Sequence, residues 1–131
     1  MSAFDDVTTL AAQRIWDGVV GRVVQGEKLT LAIVELEPGS VIPEHSHANE
    51  QLGVCVVGSL HFRVGDEARE IAPGQCWCIR ADVPHEVATG PDGAVVIETF
   101  APPRADWADR QRVEARPRWP QAGLTALRAS Q

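Results

Sequence analysis

The stretch "VIPEHSHANEQLGVCVVGSLHFRV", residues 41–64, contains the pattern on which the fold prediction rests. Its second half is rich in valine, and apolar residues alternate there with polar ones. The alternating positions are Leu60, Phe62 and Val64 on one side, and His61 and Arg63 on the other. A period of two is typical of a β-strand with one face on a core, so the stretch predicts β structure.

The chain on both sides of this stretch has the same character. From residue 19 onward, short pieces rich in valine, isoleucine and threonine are separated by glycine, proline and aspartate about every 8 to 12 residues. Leu29, Leu31 and Ile33 alternate with Lys28 and Thr30, which predicts that the three apolar side chains face the core. We expect an all-β fold, a closed or nearly closed antiparallel barrel.

The two ends of the chain differ from this central part. We predict an N-terminal extension over residues 1–14, a barrel over 15–103 and a C-terminal helix or extension over 104–131. The first half of the last segment is expected to form a short helix that packs through Trp107. The remainder is expected to be a loose extension or an arm on a partner subunit.

Composition excludes several classes of function. The chain has 131 residues and a formal net charge of -6, which argues against nucleic acid or anionic lipid as the main partner. No apolar run approaches the roughly 20 residues of a membrane span, and the N-terminus lacks the pattern of a secretory signal. A Gly-rich phosphate loop is absent. We expect a soluble cytoplasmic protein that uses no nucleotide.

Three cysteines, Cys55, Cys76 and Cys78, lie in apolar sequence. An odd number in such surroundings favours reduced, buried thiols over a disulfide framework. Cys76 and Cys78 are two residues apart and would share a strand face, which permits a metal site. Core packing is the preferred interpretation, because zinc sites usually pair cysteines at wider spacing.

Two of the four histidines, His45 and His47, are separated by a single residue. On an extended strand their side chains lie on the same side about 7 Å apart, so both rings can reach one ion. Gln51 has the same parity and joins them only if the chain turns first. Ala48-Asn49 is a plausible turn, because asparagine tolerates left-handed backbone.

A further ligand is expected from another strand, and His85 directly follows Pro84. Three imidazoles and one amide oxygen leave one or two positions on a divalent ion open, as in catalytic sites. His61 has outward parity and is not assigned to the site. Glu44 and Glu50 have the opposite parity to the histidines and are expected in solvent or behind the ligands.

The segments "PGSVIPEHSHANEQLGVCVVGSL" and "PGQCWCIRADVPH" resemble the two sequence motifs of the cupin superfamily. Most cupins have glutamate where this chain has Gln51. With "IETFAPPRADW" included, the chain most resembles the small uronate-linearising cupins of the KdgF group, over roughly residues 15–108. This resemblance implies a jelly-roll barrel.

The resemblance also implies a set of functional residues. It assigns His45, His47, Gln51 and His85 as metal ligands and places Glu98 and Arg104 at the acidic and basic active-site positions, with Arg104 also binding substrate. Glu98 replaces the aspartate of the group. From the residues alone, an inward and an outward orientation of Glu98 stay open, and so do a surface and a substrate-binding role for Arg104.

The implied activity is non-redox ring opening and tautomerisation of a small, anionic, unsaturated monouronate to a linear keto acid. The donor set suits Zn, Ni, Mn, Fe, Co or Cu. Three alternatives stay open: an iron-dependent dioxygenase, a polyketide-cyclase-like enzyme, and a module that binds a sugar acid or metal without turnover. We expect a homodimer.

Overall fold

A computed structural model describes residues 2–120, and every structural statement below concerns these residues. The part of the predicted C-terminal extension after residue 120 lies outside them. The described residues form strands β1 (Ala12–Trp16), β2 (Val19–Gln25), β3 (Thr30–Leu36), β4 (Val41–His45), β5 (Glu50–Val64), β6 (Glu67–Ile71), β7 (Cys76–Ile79), β8 (His85–Ala101) and β9 (Arg112–Val113). All pairings are antiparallel.

The two long strands, β5 and β8, organise the fold. The first half of β5 pairs with β7 and with the second half of β8, whereas its second half pairs with β6 and with the first half of β8. The register shifts between these halves, next to Gly58. Gly58 has a φ of 80°, and a Cβ there would lie 1.9 Å from the carbonyl oxygen of Gly93. Only glycine fits this crossing.

The strand order is β6-β5-β8-β3-β2-β1-β9, with β4 added to β8 and β7 added to β5. The all-β, antiparallel prediction is confirmed. The hydrogen-bonded ladder does not close into a ring among the described strands, because β6 and β9 end it. The sheet instead folds over on itself and encloses a core of aliphatic and aromatic side chains.

The inner face of β3 is opposite to the one that the sequence predicts. Leu29 and Leu31 are 47% and 36% exposed, whereas Thr30 is fully buried, and so the prediction for these leucines was wrong. The Thr30 hydroxyl accepts the backbone N–H of Arg104 at 2.9 Å, which satisfies a polar group inside. Ile33 is nevertheless buried. In β5, Leu60 and Phe62 are buried as predicted.

Two of the three cysteines also depart from the prediction. Cys55 is buried, but Cys76 and Cys78 are exposed. On β7 these cysteines alternate with Trp77 and Ile79, which occupy the inner face. The larger apolar side chains bury more surface, and the period of two then leaves the thiols outside.

The chain ends contain little helix. The predicted C-terminal helix is a single 3-10 turn, Ala105–Trp107, in which Trp107 is buried as predicted. The segment then continues as β9, which pairs with β1. Because β1 starts at Ala12, the sheet begins slightly before the predicted boundary at residue 15. Neither this turn nor the other described 3-10 turn, Val7–Thr9, is long and apolar enough to cross a membrane.

Candidate metal centre

Three histidines converge at one end of the folded sheet. His45 ends β4, His85 begins β8, and the two are paired across the ladder. His47 lies beyond the end of β4, before the bend at residues 48–49 that reverses the chain. One ring nitrogen from each of the three side chains lies within 4.8 Å of the others. The sequence therefore predicted both the cluster and the reversal.

Hydrogen bonds fix the orientation of all three rings. In each ring Nδ1 lies within hydrogen-bonding distance of a backbone carbonyl oxygen two residues away. The pairs are His45 with Pro43 at 2.8 Å, His47 with Asn49 at 2.9 Å, and His85 with Val83 at 2.9 Å. A carbonyl only accepts, so Nδ1 carries the proton and donates. Each Nε2 is then left with a lone pair, as in metal-bound histidines.

Burial keeps two of these rings neutral. It lowers the pKa of His85 to about 4 and is also the main cause of the lowered pKa of His47. The hydrogen bonds that the rings donate to backbone carbonyl oxygens act in the opposite direction, and the nearby charge of Arg104 adds to the lowering. At neutral pH these imidazoles therefore offer a lone pair and not a second proton.

Gln51 extends the cluster from the neighbouring strand β5. Its Nε2 donates to Glu98 Oε1 at 2.7 Å, which orients its Oε1 toward His47 Nε2, 3.1 Å away. Both of the latter atoms carry lone pairs when His47 is neutral. Two acceptors this close are repulsive unless a cation or a proton lies between them, so the arrangement favours a shared ion.

This donor set fits a divalent transition-metal ion. The Nε2 atom of His85 is buried and has no hydrogen-bond partner among the described residues, which is costly for a polar atom without a ligand. Three imidazole nitrogens and one amide oxygen suit zinc, nickel, iron and related ions.

A cavity of about 60 Å³ adjoins the histidines. Its polar wall includes His45, His85, Gln51, Glu98 and Arg104. Its apolar wall includes Ile15, Val34, Phe62 and Val87. The volume corresponds to about two water molecules, so any larger ligand that reaches the histidines must also occupy the mouth of the cavity.

Glu98 faces inward, which resolves the alternative that the sequence left open. It lies on β8, is 9% exposed and lines the cavity. Burial raises its pKa to about 7, against the opposing effects of Gln51, Trp77 and Arg104. The indole Nε1 of Trp77 has no hydrogen-bond partner within the described residues. A cation nearby would lower this pKa again.

Arg104 is buried in the same wall, at 8% exposure. Its guanidinium carbon lies 4.9 Å from the ring centre of Phe100 and 4.2 Å from that of Trp107. Its Nε and Nη2 donate to the two carboxylate oxygens of Asp106 at 3.0 and 2.9 Å. Arg104 is therefore held at the cavity and is not a surface side chain.

Other predicted positions lie outside the cluster. Glu44 and Glu50 are exposed, and exposed His61 pairs with Glu70 at 2.7 Å. Two residues near the cavity had no predicted role. Trp16, whose ring centre is 5.5 Å from that of His45, gave no sequence signal, whereas Asp106 lies in the quoted "PPRADW" motif but was assigned nothing.

Comparison with known proteins agrees with this architecture. The cupin domain family matches residues 32–100. The pectin degradation protein KdgF of Dickeya dadantii (strain 3937) is 25% identical over 97 residues, which cover 72% of this chain and 88% of the relative.

Two solved structures share the fold. One is an RmlC-like cupin from Shewanella frigidimarina NCIMB 400, with a TM-score of 0.77 and 21% identity over 82% of this chain and 97% of that one. The other is KdgF from Halomonas sp., with a TM-score of 0.74 and 22% identity over 81% and 98% of the respective chains. At these identities the likeness establishes the fold alone.

Proposed function

This chain belongs to the cupin family, and we propose that it is a metal-dependent, non-redox enzyme that opens and tautomerises a small unsaturated monouronate. Similarity to KdgF of Dickeya dadantii supports this substrate class. The observation that carries the proposal is the joint placement of a buried carboxylate, Glu98, and a buried guanidinium, Arg104, on the wall next to three convergent histidines.

The proposed metal ligands are His45, His47, Gln51 and His85. All four are neutral, so a divalent ion held by them keeps its full charge and can stabilise negative charge on substrate oxygens as a Lewis acid. Iron, zinc, nickel, manganese, cobalt and copper all remain compatible with this donor set.

Arg104 and Glu98 have separate roles in the proposal. Arg104 binds the substrate carboxylate through guanidinium N–H groups, which also orients the sugar ring in the cavity mouth. Glu98 takes the proton of the anomeric hydroxyl at a carboxylate oxygen. Its hydrogen bond from Gln51 fixes the position of that oxygen.

The reaction is an isomerisation and needs no further reactant. As the anomeric C–OH loses its proton, the carbonyl forms, the bond between the anomeric carbon and the ring oxygen breaks, and an enolate remains beside the carboxylate. A proton then adds to the adjacent alkene carbon and yields the linear keto acid. Glu98 is suited to return that proton, because the carboxyl is buried and close to the cavity.

The test is an ultraviolet assay with a 4,5-unsaturated monouronate. The conjugated enol acid absorbs, whereas the saturated keto acid does not, so turnover appears as loss of absorbance that requires added metal. Absence of any loss with each of the six metals would refute the proposal. Parallel oxygen-uptake measurements distinguish the dioxygenase alternative, and unchanged substrate that nevertheless binds would favour the non-catalytic module.

We also propose that the protein pairs with a second copy through the outer face of the sheet. Leu52 of β5 and Leu31 of β3 are exposed on either side of Thr99, to which both are paired in register. Exposed leucines on adjacent strands are typical of a covered surface. Light scattering should give twice the chain mass for the wild type, and Leu52→Glu should give the monomer.

A further inference from the structure

The guanidinium of Arg104 is held in one plane and one orientation. Phe100 and Trp107 both lie within stacking distance of it, as described above. Their rings contact each other with centres 4.9 Å apart, so the side chain is confined by a rigid aromatic pair. Its side chain is only 10% exposed.

Asp106 determines which edge of the guanidinium remains available. A guanidinium has one N–H on Nε and two on each terminal nitrogen. Asp106 takes the edge formed by Nε and Nη2. Nη1 has no acceptor among the described residues, so Nη1 and the second hydrogen of Nη2 form a free fork.

Asp106 also offsets positive charge close to the candidate metal centre. Arg104 and His47 both contact the ring of Phe100, at 4.9 Å to the guanidinium carbon and 5.9 Å between ring centres. An arginine that has no countercharge and lies against the same ring as His47 would oppose the binding of a cation. Arg110 Nη2 also approaches Asp106 Oδ2, at 3.9 Å. Arg104 Nη2 is closer, at 2.9 Å, so the ion pair with Arg104 is the stronger of the two.

We propose that Asp106 is a positioning residue that fixes the free fork of Arg104 as the receptor for a substrate carboxylate, an inference that rests on the proposed function. The side chain of Asp106 is 53% exposed and so contributes little to the core. It acts through Arg104 and makes the site selective for planar carboxylates over neutral sugars.

The test uses zinc-loaded protein and NMR of the arginine Nε–H groups, with Arg104→Lys to identify the Arg104 signal. Asp106→Asn should shift or broaden that signal and weaken binding of D-galacturonate roughly tenfold, while D-galactose should not bind. Asp106→Glu should restore part of the affinity. Asp109→Asn, an exposed acidic residue three positions away, is the matched control and should change neither.

Acetate serves as a second, simpler carboxylate and separates this inference from the proposed function. If acetate binds the wild type but galacturonate does not, the uronate proposal fails, and the response of acetate binding to Asp106→Asn still decides the role of Asp106. If neither binds, both proposals fail. An unchanged Arg104 signal or unchanged affinity in Asp106→Asn overturns the positioning role, and so does an equal loss in Asp109→Asn.

Discussion

Two groups of buried charged side chains lie on opposite faces of the same sheet. On the outer face, Arg22 of β2 donates to Glu35 of β3 and to the carbonyl oxygen of Ala115. Arg118 donates to Glu35 at 3.1 Å and to the carbonyl oxygen of Leu36 at 3.0 Å. Apart from Arg22 Nε, which has no partner among the described residues, these groups bind one another and attach the C-terminal segment to the sheet.

The inner group is built differently. Glu98 accepts one bond from Gln51, and the lone pairs of His45 and His85 Nε2, like the free fork of Arg104, have no described partner. Buried polar groups are normally paired, so several unpaired groups that line one cavity indicate a ligand, whereas nearly complete pairing away from that cavity indicates a structural role. The difference separates the two clusters although both contain a buried arginine and a buried glutamate.

The largest expected effect is on catalysis at the inner cluster. Glu98→Gln keeps the size of the side chain but removes its ability to take a proton, and we expect turnover of the unsaturated monouronate to fall about 10²–10⁴-fold. Metal content and the unfolding midpoint should change little. The measurement is the ultraviolet assay beside metal analysis of the same samples.

Glu70→Gln, an exposed glutamate on β6, provides the control and should keep full turnover. If Glu98→Gln retained wild-type turnover, the inner cluster would have no proton-transfer role. If it lost turnover but still bound galacturonate, the non-catalytic alternative would be excluded.

The next largest effect is on stability at the outer cluster. Glu35→Gln leaves Arg22, which is 1% exposed, without its countercharge, and we expect the free energy of unfolding to fall by about 3–5 kcal/mol. Turnover per folded molecule should be unchanged, because this face does not contact the cavity. Urea unfolding measures the loss, and a drop in kcat for the folded fraction would break the distinction between the clusters.

Metal binding should stabilise the fold through the inner cluster alone. At a metal concentration about 100 times Kd, the wild type should gain about 2.7 kcal/mol, whereas His85→Ala should gain none. His61→Ala, a histidine on the outer face, should keep the full gain. Thermal unfolding with and without metal measures this, and an equal gain in His85→Ala would remove His85 from the ligand set.

The sequence predicted what depends on local spacing. The parity of His45 and His47, the turn at residues 48–49 and the Pro84 lead-in to His85 are local features, and the structure brings these histidines together. The inner face of β3 was mispredicted because Leu29 and Leu31 are more apolar than Thr30. Burial of Thr30 depends on a hydrogen bond from Arg104, 74 positions away.

Long-range pairing likewise explains what the sequence did not reveal. The outer cluster joins residues of β2 and β3 to Arg118, 83 positions after Glu35. Nothing in the spacing of these residues indicates that they meet. The role of Asp106 was missed for another reason: it depends on which edge of a guanidinium is occupied, and that is a geometric property without a sequence pattern.

The smallest expected effect concerns Asn49, which connects the histidine turn to the segment that carries Arg104. Its Nδ2 donates to the carbonyl oxygens of Pro102 and Pro103, while its backbone oxygen accepts from His47. Asn49→Ala removes the first contacts and keeps the last.

We expect Asn49→Ala to lower the free energy of unfolding by about 1 kcal/mol and kcat/KM several-fold, with metal affinity preserved. Ser46→Ala, an exposed residue just before the turn, should change none of these quantities. If metal affinity fell together with kcat/KM, the side chain of Asn49 would also be needed to hold His47. The turn would then not separate metal binding from the placement of Arg104.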